Sequence, residues 1–361
     1  MSVSLSEIPP EDWSPAAREV WERWGITETV VFTLPLTVQF RSVQSRSGLL
    51  VRGAQGWGEC APFLEYGPAE ASLWLRSAVV FAAGGTGPSP APWPQRRRLV
   101  PVNVTVPVTD PESAYQRVID AACATAKVKV SDPRVTMEED VQRVRAVAAA
   151  LSRVAGAAAR LRIDVNGAWT VEQALAAIPR FQEACAEVGG LEYVEQPCAT
   201  VEELAQVRAA GVAPIAADES IRRATDPFRV VEMDAADIAV IKVAPLGGVD
   251  RALQLAQSLP LPVVVSSAID SSIGLSAGLA LAAALPDLPF ACGLDTGRLL
   301  GRDVCQETLV SSGGFMDADQ ARSVSDGPLS AERSPVSQDC RTHWLQRVEA
   351  MIPYLEDETA S

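Results

Sequence analysis

Lysine occurs three times in this 361-residue chain, as Lys127, Lys129 and Lys242, against 28 arginines. A guanidinium keeps its proton at any useful pH, whereas a lysine amine releases it when burial or a neighbouring cation lowers its pKa. All three lysines sit inside apolar, β-branched runs rather than on surface-type helices. Three acids, Asp164, Glu195 and Asp218, end further runs of the same kind. From Lys129 through these acids to Lys242 the separations are 35, 31, 23 and 24 residues, about one strand-plus-helix unit each. Side chains alternate along a strand, so Lys127 and Lys129 share a face, as do Arg162 and Asp164. The pattern predicts a ring of three carboxylates with lysine on either side. Three converging carboxylates repel one another, and a divalent cation relieves this. With no His or Cys among them the donors suit Mg²⁺, or Mn²⁺ as a substitute, rather than zinc. Such an ion would acidify the α-proton of a bound carboxylate substrate, and a lysine could take that proton. Each acid could instead cap the next helix, but three in succession between lysines favour the ring.

The elements that would position these residues are regular from residue 101 onward. Eight strand-like runs are expected at Val102–Val106, Ala126–Val130, Arg162–Val165, Leu191–Glu195, Pro214–Ala217, Ile238–Val243, Val263–Ser266 and Phe290–Gly293. Helical periodicity fills the gaps, as in 136–155, 171–188, 201–210 and 250–259. Thr200, with Glu203 three residues on, reads as a capping box. Eight such repeats in about 200 residues suit a closed (β/α)8-type barrel, whose active site lies at the C-terminal strand ends. No G-x-G-x-x-G follows any strand, which disfavours a doubly wound sheet. Upstream, strand-like pieces at Val30–Arg41 and Leu49–Arg52, the turn Gly56-Trp57-Gly58-Glu59 and a helix over 69–81 suggest a small α+β capping domain. A Gly/Pro-rich linker over 84–94 follows. The division expected is an α/β protein with cap 1–98, barrel 99–310 and a segment 311–361 that packs back on one or the other.

Composition removes several functions. The single histidine, His343, nearly excludes Ser-His-Asp catalysis and His-rich zinc sites. A net charge of −14 argues against nucleic acid or an anionic membrane surface as partner. Arg96-Arg97-Arg98 is too short to offset it. The start of the chain has no apolar signal-like core, and the longest apolar run, 274–285, is too short to span a bilayer. Seven cysteines without C-x-x-C spacing read as buried thiols. A soluble cytoplasmic enzyme acting on a small carboxylate is expected, with its oligomeric state open.

The motifs resemble the muconate-lactonising branch of the enolase superfamily, which is marked by K-x-K, D-x-N, E-Q-P, D-E-S and a lysine on the sixth strand. Here they read Lys127-Val128-Lys129, Asp164-Val165-Asn166, Glu195-Gln196-Pro197, Asp218-Glu219-Ser220 and Ile241-Lys242. Within that branch, stretches such as Gly56–Glu59, Leu191–Thr200 and Ala239–Gly248 are most similar to the o-succinylbenzoate synthases of actinobacteria. The resemblance implies that Asp164, Glu195 and Asp218 ligate Mg²⁺. It makes Lys129 the base that takes the α-proton and then, as acid, assists loss of hydroxide from the same face. Lys242 would stabilise the enediolate from the opposite side, and Lys127 would depress the pKa of Lys129. The implied substrate is 2-succinyl-6-hydroxy-2,4-cyclohexadiene-1-carboxylate, an intermediate of menaquinone biosynthesis. An N-acylamino acid racemase, a dipeptide epimerase and a muconate cycloisomerase share this machinery, and a non-catalytic barrel is a rival of another class. Secondary candidates are Arg162 (substrate contact or structural ion pair), Ser266, Ser267 and Gly293 (donors to the succinyl tail), and Asn166 and Glu219 behind the lysines. Two cap loops, at 42–48 and 62–67, would close the site with Phe63 and Tyr66 as lids. The first 28 residues match no family element and suggest an extra helix.

Overall fold

The computed structural model describes residues 3–40, 43–85, 93–223, 226–324, 327–328 and 334–355. The expected linker over 84–94 lies mostly outside them, and so does Ser42. Four strands, β1 (Ser4–Glu7), β2 (Glu28–Phe40), β3 (Val43–Gly53) and β4 (Gly56–Cys60), form an antiparallel sheet in chain order. The 42–48 stretch read as a loop instead belongs, from Val43, to β3, because β2 and β3 stay paired as a long hairpin from Glu28↔Arg52 to Phe40↔Val43. Between β1 and β2 lies α1 (Pro15–Arg23), capped by the Ser14 side chain on the Ala17 amide. The unassigned first 28 residues therefore supply both an edge strand and a helix to the cap. The sheet is crossed by α2 (Pro68–Ala83). The Gly-Trp-Gly-Glu stretch expected as a turn is instead the start of β4, because it pairs with β3 from Gly53↔Gly56 to Leu50↔Glu59. A Cβ on Gly58 would stand 2.0 Å from the Ala78 carbonyl oxygen, so only glycine lets helix and strand close.

The strand β5 (Leu99–Pro101) then leads into a parallel sheet of β6 (Asn103–Val106), β7 (Thr125–Lys129), β8 (Arg160–Asp164), β9 (Leu191–Glu195), β10 (Ile215–Ala217), β11 (Ile238–Lys242) and β12 (Val263–Ser266), each beside its predecessor. The connecting helices are α3 (Pro111–Ala121), α4 (Met137–Ala155), α5 (Val171–Ala184), α6 (Val201–Ala209), the short α7 (Glu219–Arg222) and α8 (Arg229–Glu232), α9 (Val249–Ser258) and α10 (Ser272–Ala284). Capping boxes open α4, α5 and α6, at Thr136, Thr170 and the expected Thr200. The strands are buried on both faces, as a sheet enclosed by helices must be.

The eighth strand expected at 290–293 is reduced to two bridging residues. Cys292 pairs with Val102 and Gly293 with Ser266, which links the first and last strands and closes the ring. Pro286 and Pro289, just upstream, lack the amide donors a longer strand would need. A 3₁₀ turn, Asp295–Leu299, replaces the last barrel helix. Beyond it β13 (Phe315–Asp317) pairs with β5, followed by α11 (Ala318–Ser323) and α12 (Gln338–Met351). The last helix returns to the cap: Trp344, Val348 and Met351 are buried in the cap's apolar cluster with α1 and α2 residues. Ser14 at the start of α1 donates from its amide and hydroxyl to Glu349.

Candidate active site

The strand ends bring the expected ring together. In register, Lys129 lies beside Asp164 and Asp164 beside Glu195, while Lys242 lies beside Ser266. Lys127 donates to both Glu195 oxygens at 2.8 and 2.9 Å and stands 3.4 Å from Asp164. Lys129 donates to Asp164 at 2.5 Å and to the Asn166 side-chain oxygen at 2.8 Å. Across the sheet Lys242 donates to Asp218 at 2.6 Å. Asp164, Glu195 and Asp218 are all buried, at 1 % exposure or less. One cavity is lined by Lys127, Lys129, Asp164 and Lys242 together with Thr105, Phe63, Trp74 and Arg222. A larger hollow of about 310 Å³ between α2, α10 and α11 is lined by Trp57, Phe81, Trp93 and other residues, none of them titratable, so it cannot perform this chemistry.

Burial dominates the electrostatics and the charges then compete. Burial opposes ionisation of Asp164, but Lys129 and Lys127 outweigh it and hold its carboxyl far below the usual range. Glu195 goes the other way: burial first, then the negative charge of Asp164, pushes it up to about 7. Burial works against the charge on Lys127, yet Glu195 and Asp164 keep its ammonium well above the ordinary lysine range. Lys127 is thus a fixed positive charge that shares Asp164 with Lys129.

The donor set fits a divalent cation. Three anionic, all-oxygen side chains stand at successive strand ends, and burial with the neighbouring charge of Asp164 raises Glu195 toward its proton, a cost that a bound cation would relieve. Among the described residues no three Asp, Glu, His or Cys side chains stand close enough to form a finished metal cage. Each carboxylate is paired with a side-chain cation: Asp164 and Glu195 with lysines, Asp218 with Lys242 and, at 2.9 Å, with Arg222.

Strained turns hold the ring in place. Asn166 and Gln196 follow the two acids Asp164 and Glu195 within two residues and adopt φ of +53° and +40°. This left-handed backbone turns the chain sharply away from each strand end. Gln196 is fully buried; its side-chain oxygen accepts from the amides of Asp218 at 2.9 Å and Ser220 at 3.2 Å, and its nitrogen donates to the Ser220 hydroxyl at 2.8 Å. The Glu-Gln-Pro motif thereby fixes the next acid in the ring. Asn166 also reaches toward Glu219 at 3.4 Å, so both supporting candidates touch the lysine side of the site.

The secondary candidates divide. Arg162 is fully buried one layer below the mouth, in register with Lys127. It donates to Glu192, Asn103 and the Ala291 carbonyl and lies 4.6 Å from the Tyr193 ring. Its guanidinium lies inside the barrel, paired with Glu192, which favours the structural reading, because two residues along a strand is one layer deeper. Ser266, Ser267 and Gly293 line the cavity. The Ser267 hydroxyl, however, is engaged with the Gly293 carbonyl at 3.1 Å and Thr296 at 2.7 Å. The Ser266 hydroxyl also points at Gly293, at 3.4 Å. The sequence reading missed Thr105, Trp74, Gln196 and Arg222. Arg222 stood two residues after the Asp-Glu-Ser motif, whereas Trp74 lies in the cap and gave no signal.

The fold and ring define an enolase-type enzyme, and comparison with known proteins agrees. A model described as "Enolase C-terminal domain-like" matches residues 111–327, and one described as "Enolase N-terminal domain-like" matches 31–82. An o-succinylbenzoate synthase of Thermobifida fusca is 53% identical over 289 residues, covering 79% of this chain and 85% of that protein. Its counterpart in Mycobacterium ulcerans is 44% identical over 326 residues, covering 90% and 93%. A dipeptide epimerase from Enterococcus faecalis, solved with Mg and the dipeptide L-Leu-L-Tyr, superposes with a TM-score of 0.63 at 20% identity, covering 81% of this chain and 97% of its own. That likeness carries the fold alone. The chain belongs to the enolase superfamily, in the family of the o-succinylbenzoate synthases.

Proposed function

We propose that this enzyme is a Mg²⁺-dependent lyase that dehydrates 2-succinyl-6-hydroxy-2,4-cyclohexadiene-1-carboxylate to o-succinylbenzoate, in the cytoplasm and in the service of menaquinone biosynthesis. The observation that carries the reading is the complete ring: Lys129 and Lys242 face one cavity from β7 and β11, with three buried carboxylates between them. The racemase, epimerase and cycloisomerase readings share the ring, but the relatives at 44–53% identity do not bear those names. An eroded, non-catalytic barrel would have lost part of it.

Asp164, Glu195 and Asp218 would hold the metal. When bound, Mg²⁺ neutralises charge that builds on the substrate carboxylate as the α-proton leaves. Lys129 takes that proton as a neutral amine, with the positive charge of Lys127 beside it at their shared partner Asp164. The C–H electron pair becomes the new ring double bond. The ring C–O bond breaks, and Lys129 returns its proton to the departing hydroxide, so that water leaves and the ring is aromatic. Lys242, held by Asp218, presents positive charge to the opposite side. No helix among the described residues is long and apolar enough to cross a membrane. All seven cysteines are free thiols, which supports a reducing compartment.

The test is restoration by metal. Protein stripped with EDTA should not consume the diene, followed by its absorbance, and Mg²⁺ or Mn²⁺ should restore turnover. Equal turnover with and without metal would contradict the reading.

A further inference from the structure

Seen from the lysines, the far wall of the active-site cavity is built by the cap. Phe63 and Trp74 line it, and Arg222 stands beside them from the barrel loop that carries Asp218. Trp74 is 1 % exposed and packs edge-on against Phe63 and Tyr66, with ring centroids 6.4 and 5.9 Å apart. Its indole N–H is buried and meets no acceptor among the described residues. A buried donor left without a partner costs free energy, and its retention calls for an explanation. Here the donor belongs to a side chain that lines the reaction cavity. On the opposite wall the hydroxyls of Ser266 and Ser267 already face the Gly293 carbonyl.

On the reading of the reaction given above, the substrate carries two carboxylates. One belongs at the metal, beside the lysines. The other ends the succinyl chain and needs its own donors. We infer that the Trp74 indole N–H and the Arg222 guanidinium form a recognition site for this second carboxylate, on the cap side of the cavity. Arg222 brings a guanidinium to the same cavity lining. Its fork is held in place by Asp218 at 2.9 Å, by Glu219 at 2.6 Å and by the Tyr66 hydroxyl, so it is oriented before the ligand arrives. Trp74 adds a directional donor. The pair would make the site selective for dicarboxylates over monocarboxylates of the same shape, a discrimination that an apolar cap wall could not provide.

The test compares two ligands on the Mg²⁺-loaded enzyme by calorimetry: o-succinylbenzoate, and 2-butyrylbenzoate, in which a methyl group replaces the tail carboxylate. Wild type should bind the dicarboxylate at least about ten-fold more tightly, the scale of a hydrogen bond to a charged group. Trp74→Phe keeps the aromatic wall and removes the donor. It should erase most of that preference while changing 2-butyrylbenzoate affinity by less than about two-fold. Arg222→Lys should reduce the same preference and supplies the comparison independently if the Trp74 variant does not fold. Equal affinity of wild type for the two ligands, or equal weakening of both ligands in Trp74→Phe, would overturn the site. Absence of diene turnover in wild type would instead overturn the reaction, and the ligand comparison would still decide the site.

Discussion

At the scale of single residues the proposed mechanism rests on two amines whose surroundings differ. Lys129 is bonded to Asp164 and Asn166 near a second lysine, whereas Lys242 faces Asp218 alone among the acids of the ring. Lys129→Ala should therefore abolish proton abstraction, lowering kcat by about 10³-fold or more while the melting temperature stays near that of wild type. Lys242→Ala should also lower kcat strongly, with smaller effect on affinity for o-succinylbenzoate. Full activity in either variant would remove that lysine from the mechanism. These residues could be read in the sequence because lysine stands out in a chain that otherwise uses arginine. Arg162 was ambiguous for the same reason that Lys127 was clear. Both are polar residues within strands, and alternation alone does not say how deep in the barrel a side chain lies.

At the scale of elements, strands set the spacing of the ring and the turns after them set its aim. All seven strands of the parallel sheet were legible, since β-branched runs between helical periods leave few other readings. The eighth was placed correctly at 290–293 but read too long, because pairing there consists of two residues closing the ring rather than a run of its own. The seam between cap and barrel was hidden. Glu59, on β4, accepts from the Ser271 amide at 3.1 Å and the Gly274 amide at 3.3 Å, at the start of α10. A Cβ at Gly274 would meet the Glu59 carboxyl at 3.0 Å, so glycine permits the approach. Burial, followed by the charge of Asp270, pushes Glu59 up to about 8 despite Ser271 and Arg46, which pull it down. The folded protein then holds this proton up to about pH 8, while the unfolded chain releases it near the ordinary glutamate value. Glu59 therefore costs stability progressively as pH rises from about 4.5 to 8. Glu59→Gln should flatten the fall of melting temperature over that window relative to wild type. Parallel curves for the two proteins would show that Glu59 keeps its charge in the fold.

At the scale of the whole molecule, the cap is assembled from both ends of the chain. The first strand edges its sheet, and α12 buries Trp344 against it, the Trp344 indole donating to Ser47 at 3.1 Å. Deleting residues from Gln338 onward should therefore lower cap stability and weaken substrate affinity, with less effect on the barrel, as read by proteolysis of 43–85 against 103–266. The N-terminal strand and helix fall within the expected cap, 1–98, and the C-terminal segment is expected on cap or barrel. The contacts that join the two ends to the cap were not legible, because their partners lie over 290 residues away in sequence. The broad architecture was legible because the barrel repeats, whereas the cap has no repeat to read. The central claim is that this cap-and-barrel site carries out dehydration. The most direct measurement sets two rates side by side with Mg²⁺ present: aromatisation of 2-succinyl-6-hydroxy-2,4-cyclohexadiene-1-carboxylate and racemisation of an N-acylamino acid. The account predicts rapid loss of diene absorbance, with racemisation slower by about a hundred-fold or absent, the scale on which a site separates substrates by its binding contacts. Efficient racemisation with no conversion of the diene would contradict it.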